Sequence, residues 1–312
     1  MSHSSTFVAG IDTGKAALDL AVTPGEGWLR VNNDAAGWQA AAEWLLKAGV
    51  DRVGIEASGG YERGVVAALR EAGFKVILHQ PLQVRLFARM RLQRAKNDRL
   101  DARVIAAFTV LFGMDRAAAD PTLAGLHEHL VFIDQLVQDI ARLKTRLEHL
   151  HDTRLASLVA ADIAALKARL RDERRRLERA VRADKALGRR LDLLLSVPGI
   201  GMPTALALLI AMPELGSISR EQAAALIGLA PFDHDSGKHH GRRHIAGGRA
   251  RPRQALYAAA LPAAYRWNRQ LMALYARLTA AGKPHKLALV ACARKLVIFA
   301  NTVLQRGQPW TP

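Results

Sequence analysis

Three short strand-like runs follow one another at the start of the chain, and the turns between them leave no room for a helix. The runs cover residues 7–12, 18–23 and 28–32, and the stretches Thr13-Gly14-Lys15 and Pro24-Gly25-Glu26-Gly27 separate them. Such a succession predicts a meander. The period then changes: a helical pattern over residues 34–48, an apolar strand over 52–56, a helix over 61–72 and a strand over 75–79. The order βββαβαβ predicts an α/β fold, a mixed sheet carrying helices on its faces.

From residue 126 to 195 the pattern becomes almost wholly helical. Leu126, Leu130, Ile133, Leu136, Ile140, Leu143, Leu147 and Leu150 trace a seam of alternating three and four spacing, as in a coiled coil. A second helix is expected over 155–195. It carries a basic run at 169–182, with Arg174-Arg175-Arg176, which is either a solvated face or a phosphate-contacting surface. Pro198 ends this arm. Beyond it lies a second, mainly helical unit, with an exposed loop at 231–251 and a closing amphipathic helix at 286–304. The expected division is residues 1–115, an arm over 116–195 and a carboxy-terminal domain over 196–312.

With 312 residues the chain can bury more than one core. Lys and Arg number 45 against 28 Asp and Glu, a net charge of +17 spread along the whole chain. Neutralising phosphates with such a surface releases counterions, so nucleic acid is the expected partner. A membrane surface ranks lower, because no segment approaches the roughly 18 to 20 uninterrupted apolar residues of a spanning helix. The amino terminus lacks a cationic start followed by an apolar stretch, so no secretory signal is expected and the protein should stay in the cytoplasm. A single cysteine, Cys292, excludes an internal disulfide framework and a thiolate-rich zinc site.

Carboxylates recur where chemistry is done. Asp12 ends the first strand, Glu56 ends the fourth, and Asp98 and Asp101 fall three apart, on one face of a helix that Lys96-Asn97-Asp98 opens. If the first and fourth strands are neighbours, the four acids share one sheet edge and need a hard cation between them, for which Mg²⁺ is suited. Taken singly, each has a plainer role: Asp12 in a turn, Glu56 paired with Arg52, Asp98 as a helix cap. Val197-Pro198-Gly199-Ile200-Gly201 before a helical run at 204–212 has the form of a helix-hairpin-helix, where Gly199 and Gly201 would let amides approach phosphate, or of a plain Pro-Gly turn. The histidines of Asp233-His234-Asp235-Ser236-Gly237-Lys238-His239-His240 do not face one way on regular structure, so a basic loop explains them better than a metal site. Composition alone makes Ser236 an ordinary turn serine.

Five motifs occur in order: Gly10-Ile11-Asp12-Thr13-Gly14-Lys15, Ile55-Glu56-Ala57-Ser58-Gly59, Lys96-Asn97-Asp98-Arg99-Leu100-Asp101-Ala102, Pro198-Gly199-Ile200-Gly201 and Asp235-Ser236-Gly237-Lys238. Together they resemble a transposase of insertion-sequence family one-hundred-ten, across nearly the whole chain. Gly14 departs from the Ser more often found before the lysine. The resemblance implies a ribonuclease H-like, RuvC-like amino-terminal domain, with which the strand order is compatible. It implies that Asp12, Glu56, Asp98 and Asp101 form a DEDD site for Mg²⁺, or Mn²⁺ in its place, and that Ser236 is a nucleophile joined to DNA during strand exchange. It further implies a bridge RNA that selects donor and target DNA, and a coiled coil that assembles a homo-dimer or homo-tetramer. Lys15, Lys96, Arg99, Lys238, Arg242 and Arg243, with Gly199 and Gly201, are the expected nucleic-acid contacts. The few aromatics, 5% of residues, suit backbone binding more than base stacking. Two other functions remain open: a RuvC-like nuclease using water, and a non-catalytic nucleic-acid-binding scaffold.

Overall fold

The computed structural model describes residues 7–92, 98–113, 121–232 and 244–311. The chain divides into two compact units, Met1–Ala118 and Ala119–Pro312.

The first unit is built on a five-stranded mixed sheet of order β3-β2-β1-β4-β5. Its strands are β1 (Phe7–Thr13), β2 (Ala17–Thr23), β3 (Trp28–Asn32), β4 (Val50–Glu56) and β5 (Lys75–His79). The first three form the antiparallel meander, while β4 pairs parallel to β1 and β5 parallel to β4. Parallel pairing requires crossovers, supplied by α1 (Ala35–Lys47) and α2 (Arg63–Glu71). Asp34 starts α1 by accepting the Gly37 amide at 2.9 Å, satisfying one of the helix's orphan donors.

Alternation gives the sheet two unlike faces. Ala9, Ile11, Leu18, Leu20, Val53 and Ile55 join Leu45, Val65 and Leu69 in one apolar core. The opposite face carries Gly10 and Gly54, and there α4 (Asp98–Phe112) lies almost on the backbone. A Cβ at Gly10 would stand 2.2 Å from the Ala102 carbonyl oxygen, and one at Gly54 would stand 1.8 Å from Thr109 Oγ1. Neither space can hold a methyl group. A further helix, α3 (Pro81–Met90), which the sequence pattern did not predict, packs on α4 through Val84, Phe87, Ile105 and Phe108.

The second unit is helical. Helices α5 (Pro121–Glu148) and α6 (Thr153–Ala183) form a hairpin, followed by α7 (Lys185–Leu195), α8 (Met202–Ala211) and α9 (Arg220–Leu226). The short pair β6 (Pro231–Phe232) and β7 (His244–Ile245) precedes α10 (Ala250–Pro262), a π-helical turn Ala263–Trp267, α11 (Arg269–Ala280) and α12 (His285–Arg306). One core joins α7, α8, α10 and α12 to Leu126, Leu130 and Ile133 of α5 and to Leu177 and Val181 of α6. The leucine seam is thus buried within one chain from Leu126 through Ile140, while Leu143, Leu147 and Leu150 are half-exposed.

Two expectations change here. The single helix over 155–195 is two, because Asp184 takes an extended conformation and its carboxylate accepts the amides of Ala186 and Leu187, starting α7 afresh. The loop over 231–251 is shorter, since its described ends pair as β6 and β7 and Arg251 already lies in α10. Among the described residues α12 alone has the length and mean hydropathy of a membrane-crossing helix, yet Leu289, Cys292, Leu296, Val297 and Ala300 place it in the core.

Candidate functional site

A row of polar residues crosses the sheet at the carboxyl ends of β1 and β4. Asp12 stands opposite Asp19, Asp19 opposite Arg30, and Glu56 opposite His79. Ile11 pairs with Ile55, so the next residue on each parallel strand, Asp12 and Glu56, are neighbours. The row therefore reads His79, Glu56, Asp12, Asp19, Arg30 across all five strands, on the face that α4 covers. Because Gly10 admits α4 at Ala102, the first turn of that helix, with Asp98 and Asp101, reaches the same row.

Electrostatics records the crowding. Burial, followed by the negative charges of Asp101, Asp98 and Asp19, pushes the Asp12 carboxyl up to about 6, against a hydrogen bond from the Thr13 backbone that lowers it. Asp19 is raised too, chiefly by burial, with Arg30 opposing. Its Oδ1 and the Thr13 hydroxyl are buried with no hydrogen-bond partner. Arg30 Nη1 stands 3.3 Å from Asp19 Oδ2 and 3.1 Å from Asp98 Oδ2, so one nitrogen bridges the two acids. The loop after Glu56 is fixed by Glu62, whose Oε2 accepts the Ser58 amide and hydroxyl at 3.1 Å and the Gly60 amide at 2.9 Å.

The plainer roles of these acids fare differently. Asp98 lies in the first turn of α4 and pairs with Arg30. Arg52, offered as a partner for Glu56, donates to the Gly113 carbonyl at 3.4 Å. Among the described residues, however, no three His, Cys, Asp or Glu side chains stand where they could hold a metal ion. In donor chemistry the set fits a hard divalent cation, being all carboxylate oxygen with an excess of negative charge and an orphaned buried Oδ1 at Asp19.

The expected nucleic-acid contacts separate into three groups. Lys15 is exposed in the β1–β2 turn, and the Arg99 guanidinium lies 5.6 Å from the ring centre of Trp28. Gly199 has φ +101°, and a Cβ there would meet the Ala263 Cβ at 2.4 Å; its glycine is required by backbone and core. Gly201 caps α8 with φ −89°, and its nearest neighbour to an added Cβ is Pro203 at 3.9 Å. Ser236, Lys96, Lys238, Arg242 and Arg243 lie outside the described residues. In the basic run, Arg175 pairs with Asp172, Arg176 with Glu173, and Arg182 with both Glu178 and Asp192. Those arginines are exposed and ion-paired.

Asp19 and Arg30 escaped the sequence reading. Their signal was a charge at an interior position of an apolar strand, Leu18-Asp19-Leu20, which counting back across the turn places opposite Asp12.

Comparison with known proteins gives the class. Residues 9–155 match the DEDD model of the IS110 transposases, described as a transposase, and residues 191–276 match the model described as transposase IS116/IS110/IS902 family. The protein is a DNA transposase, an enzyme of DNA recombination. It belongs to the IS110 family. The chain is also similar to the pilin gene-inverting proteins of Moraxella bovis and Moraxella lacunata, each 24% identical over 323 residues that cover 98% of both chains.

Proposed function

We propose that this transposase excises and inserts its element with two sets of groups: the carboxylates Asp12, Glu56, Asp98 and Asp101 of a ribonuclease H-like, RuvC-like unit over residues 1–115, and Ser236 of a transposase domain over 196–312. The observation that carries the reading is the polar row at the ends of β1 and β4, with the acidic first turn of α4 brought over it by Gly10. The four carboxylates would hold Mg²⁺ or Mn²⁺, which when bound supplies a Lewis acid for a phosphodiester oxygen.

The chain's own residues do the rest. The Ser236 hydroxyl oxygen attacks a phosphodiester phosphorus; a bond from Oγ to phosphorus forms, the bond to one DNA oxygen breaks, and that oxygen leaves as a DNA hydroxyl. Attack by a DNA hydroxyl on the serine phosphoester reverses the exchange and frees Ser236. One phosphoester replaces another at each step, so strand exchange needs no high-energy cofactor. The net charge of +17 holds the DNA backbone and a bridge RNA that pairs with donor and target. Lys15, Lys96, Arg99, Lys238, Arg242 and Arg243, with the amides around Gly201, supply contacts, and the arm over 116–195 serves as a coiled coil in a homo-dimer or homo-tetramer at the nucleoid.

The test incubates the protein with Mg²⁺, junction and target DNA, and RNA transcribed from the element's flanks. A covalent adduct on a denaturing gel, mapped to Ser236 and absent from Ser236→Ala, is the expected result. Cleavage without an adduct would move the assignment to a nuclease that uses water. Asp12→Ala should abolish recombination while DNA binding persists.

A further inference from the structure

Strand β3 grips the carboxylate-bearing helix. Residues on one side of the β2–β3 hairpin meet α4 in order: Glu26 pairs with Arg103 at 3.4 Å, Trp28 lies under the Arg99 guanidinium, and Arg30 pairs with Asp98. Trp28 also hydrogen-bonds the Asp19 carboxylate, but the cation among these contacts that meets the acids of the candidate site is Arg30. Its other partner, Asp19, has a side chain only 5% exposed, stands directly across the ladder, and keeps one oxygen without a hydrogen bond. A buried carboxylate next to Asp12 demands a nearby cation, and the chain provides it. The Asp98 side chain is 56% exposed and can let go; Asp19 cannot.

We infer that Arg30 is the resident counter-ion of the metal-free site: anchored by Asp19, it occupies Asp98 and competes with the divalent cation for that carboxylate. The inference rests on the metal-site reading proposed above. Metal loading opens the Arg30–Asp98 pair and leaves Arg30–Asp19 closed, so the guanidinium stays at the rim of the site. Arg30 is a positioning residue. It lets the acidic row fold before metal arrives and weakens metal binding in return, because each cation excludes the other from Asp98. An exposed ion pair is weak, so the competition is modest, about two- to fivefold in affinity.

The experiment is titration of the full-length protein with Mn²⁺, followed by calorimetry and by the electron paramagnetic resonance signal of free Mn²⁺. Arg30→Gln should bind Mn²⁺ about two- to fivefold tighter than the parent. That gain should shrink as ionic strength rises, which a purely structural defect would not reproduce. Arg30→Lys keeps the charge and should return affinity toward the parent value. In the Asp98→Asn background, Arg30→Gln should give no gain, since the contested carboxylate is gone. Unchanged or weaker Mn²⁺ binding by a folded Arg30→Gln, with the parent binding normally, overturns the inference alone. Failure of the parent itself to bind Mn²⁺ overturns the metal-site reading and the inference together.

Discussion

Gly10 and Gly199 each remove a side chain so that a helical segment can come close, yet the two approaches serve different ends. At Gly10 the segment is α4, and the closeness delivers Asp98 and Asp101 to a row of charged residues. At Gly199 the segment begins at Ala263, and the closeness completes an apolar core containing Val197, Ile200 and Leu296. In the first unit, then, a glycine inside a regular strand positions chemistry. In the second, a glycine at a helix boundary positions packing, and Gly201, two residues on, is the one free to meet a ligand. A sequence motif built on glycine is therefore read correctly only when the neighbour that fills the missing Cβ is known.

Substitutions can break this comparison or refine it. The largest effect is expected from Gly10→Val, which drives a branched side chain into the α4 backbone. It should cost roughly 3 kcal/mol or more and remove recombination, as read by chemical denaturation and by the adduct assay. A stable, active Gly10→Val would mean that α4 does not need its close seat. Gly199→Ala should cost about 2–4 kcal/mol, from the left-handed backbone and the Ala263 contact together. Its loss belongs to stability, so DNA affinity of the folded fraction should stay near that of the parent.

A smaller effect tests the charge on the row. Asp12 titrates at about 6 in the folded protein against an ordinary carboxyl value of 3.8, so the native state holds its proton longer than the unfolded chain does. Stability from this group is therefore present at low pH and lost as pH rises through about 6. Thermal unfolding in the presence of chelator should show Asp12→Asn less sensitive between about pH 4 and 6, by on the order of 1 kcal/mol because solvent screens part of the burial and repulsion. Equal pH slopes in the two proteins would deny that Asp12 is raised in the folded state. The smallest change in stability is expected from Gly201→Ala, within about 0.5 kcal/mol, because its φ of −89° suits alanine and the added Cβ meets nothing closer than 3.9 Å. DNA affinity, measured by fluorescence anisotropy, should nonetheless fall severalfold as the methyl keeps phosphate from the amides. An unchanged affinity would leave the segment a plain Pro-Gly turn.

The strand and helix order of the first unit was readable because period changes are sharp there: the runs at 28–32 and 75–79 coincide with β3 and β5, and Asp34 sits as cap where the helix pattern begins. The placement of Asp12 beside Glu56 followed once β1 and β4 were neighbours, a fact of sheet topology that no local pattern encodes. Asp19 and Arg30 were missed because each looks ordinary in its own strand; only cross-strand register makes them part of the row. The break at Asp184 was missed because leucines continue at helical spacing on both sides, and a carboxylate accepting two amides outweighs that continuity. Helix α3 hid behind Pro81, which reads as a turn although proline favours the first turn of a helix.

That break has a mechanical consequence. Since Asp184 starts α7 on its own hydrogen bonds, the register of the core helices does not depend on the length of the hairpin before it. With 31 residues, α6 measures roughly 46 Å at the usual rise per residue. Its root is fastened by Leu177 and Val181, and its far half has little but α5 against it. The hairpin is a ruler: whole turns could be added or removed at its tip, over residues 149–152, changing the distance it spans without retuning the unit that carries it.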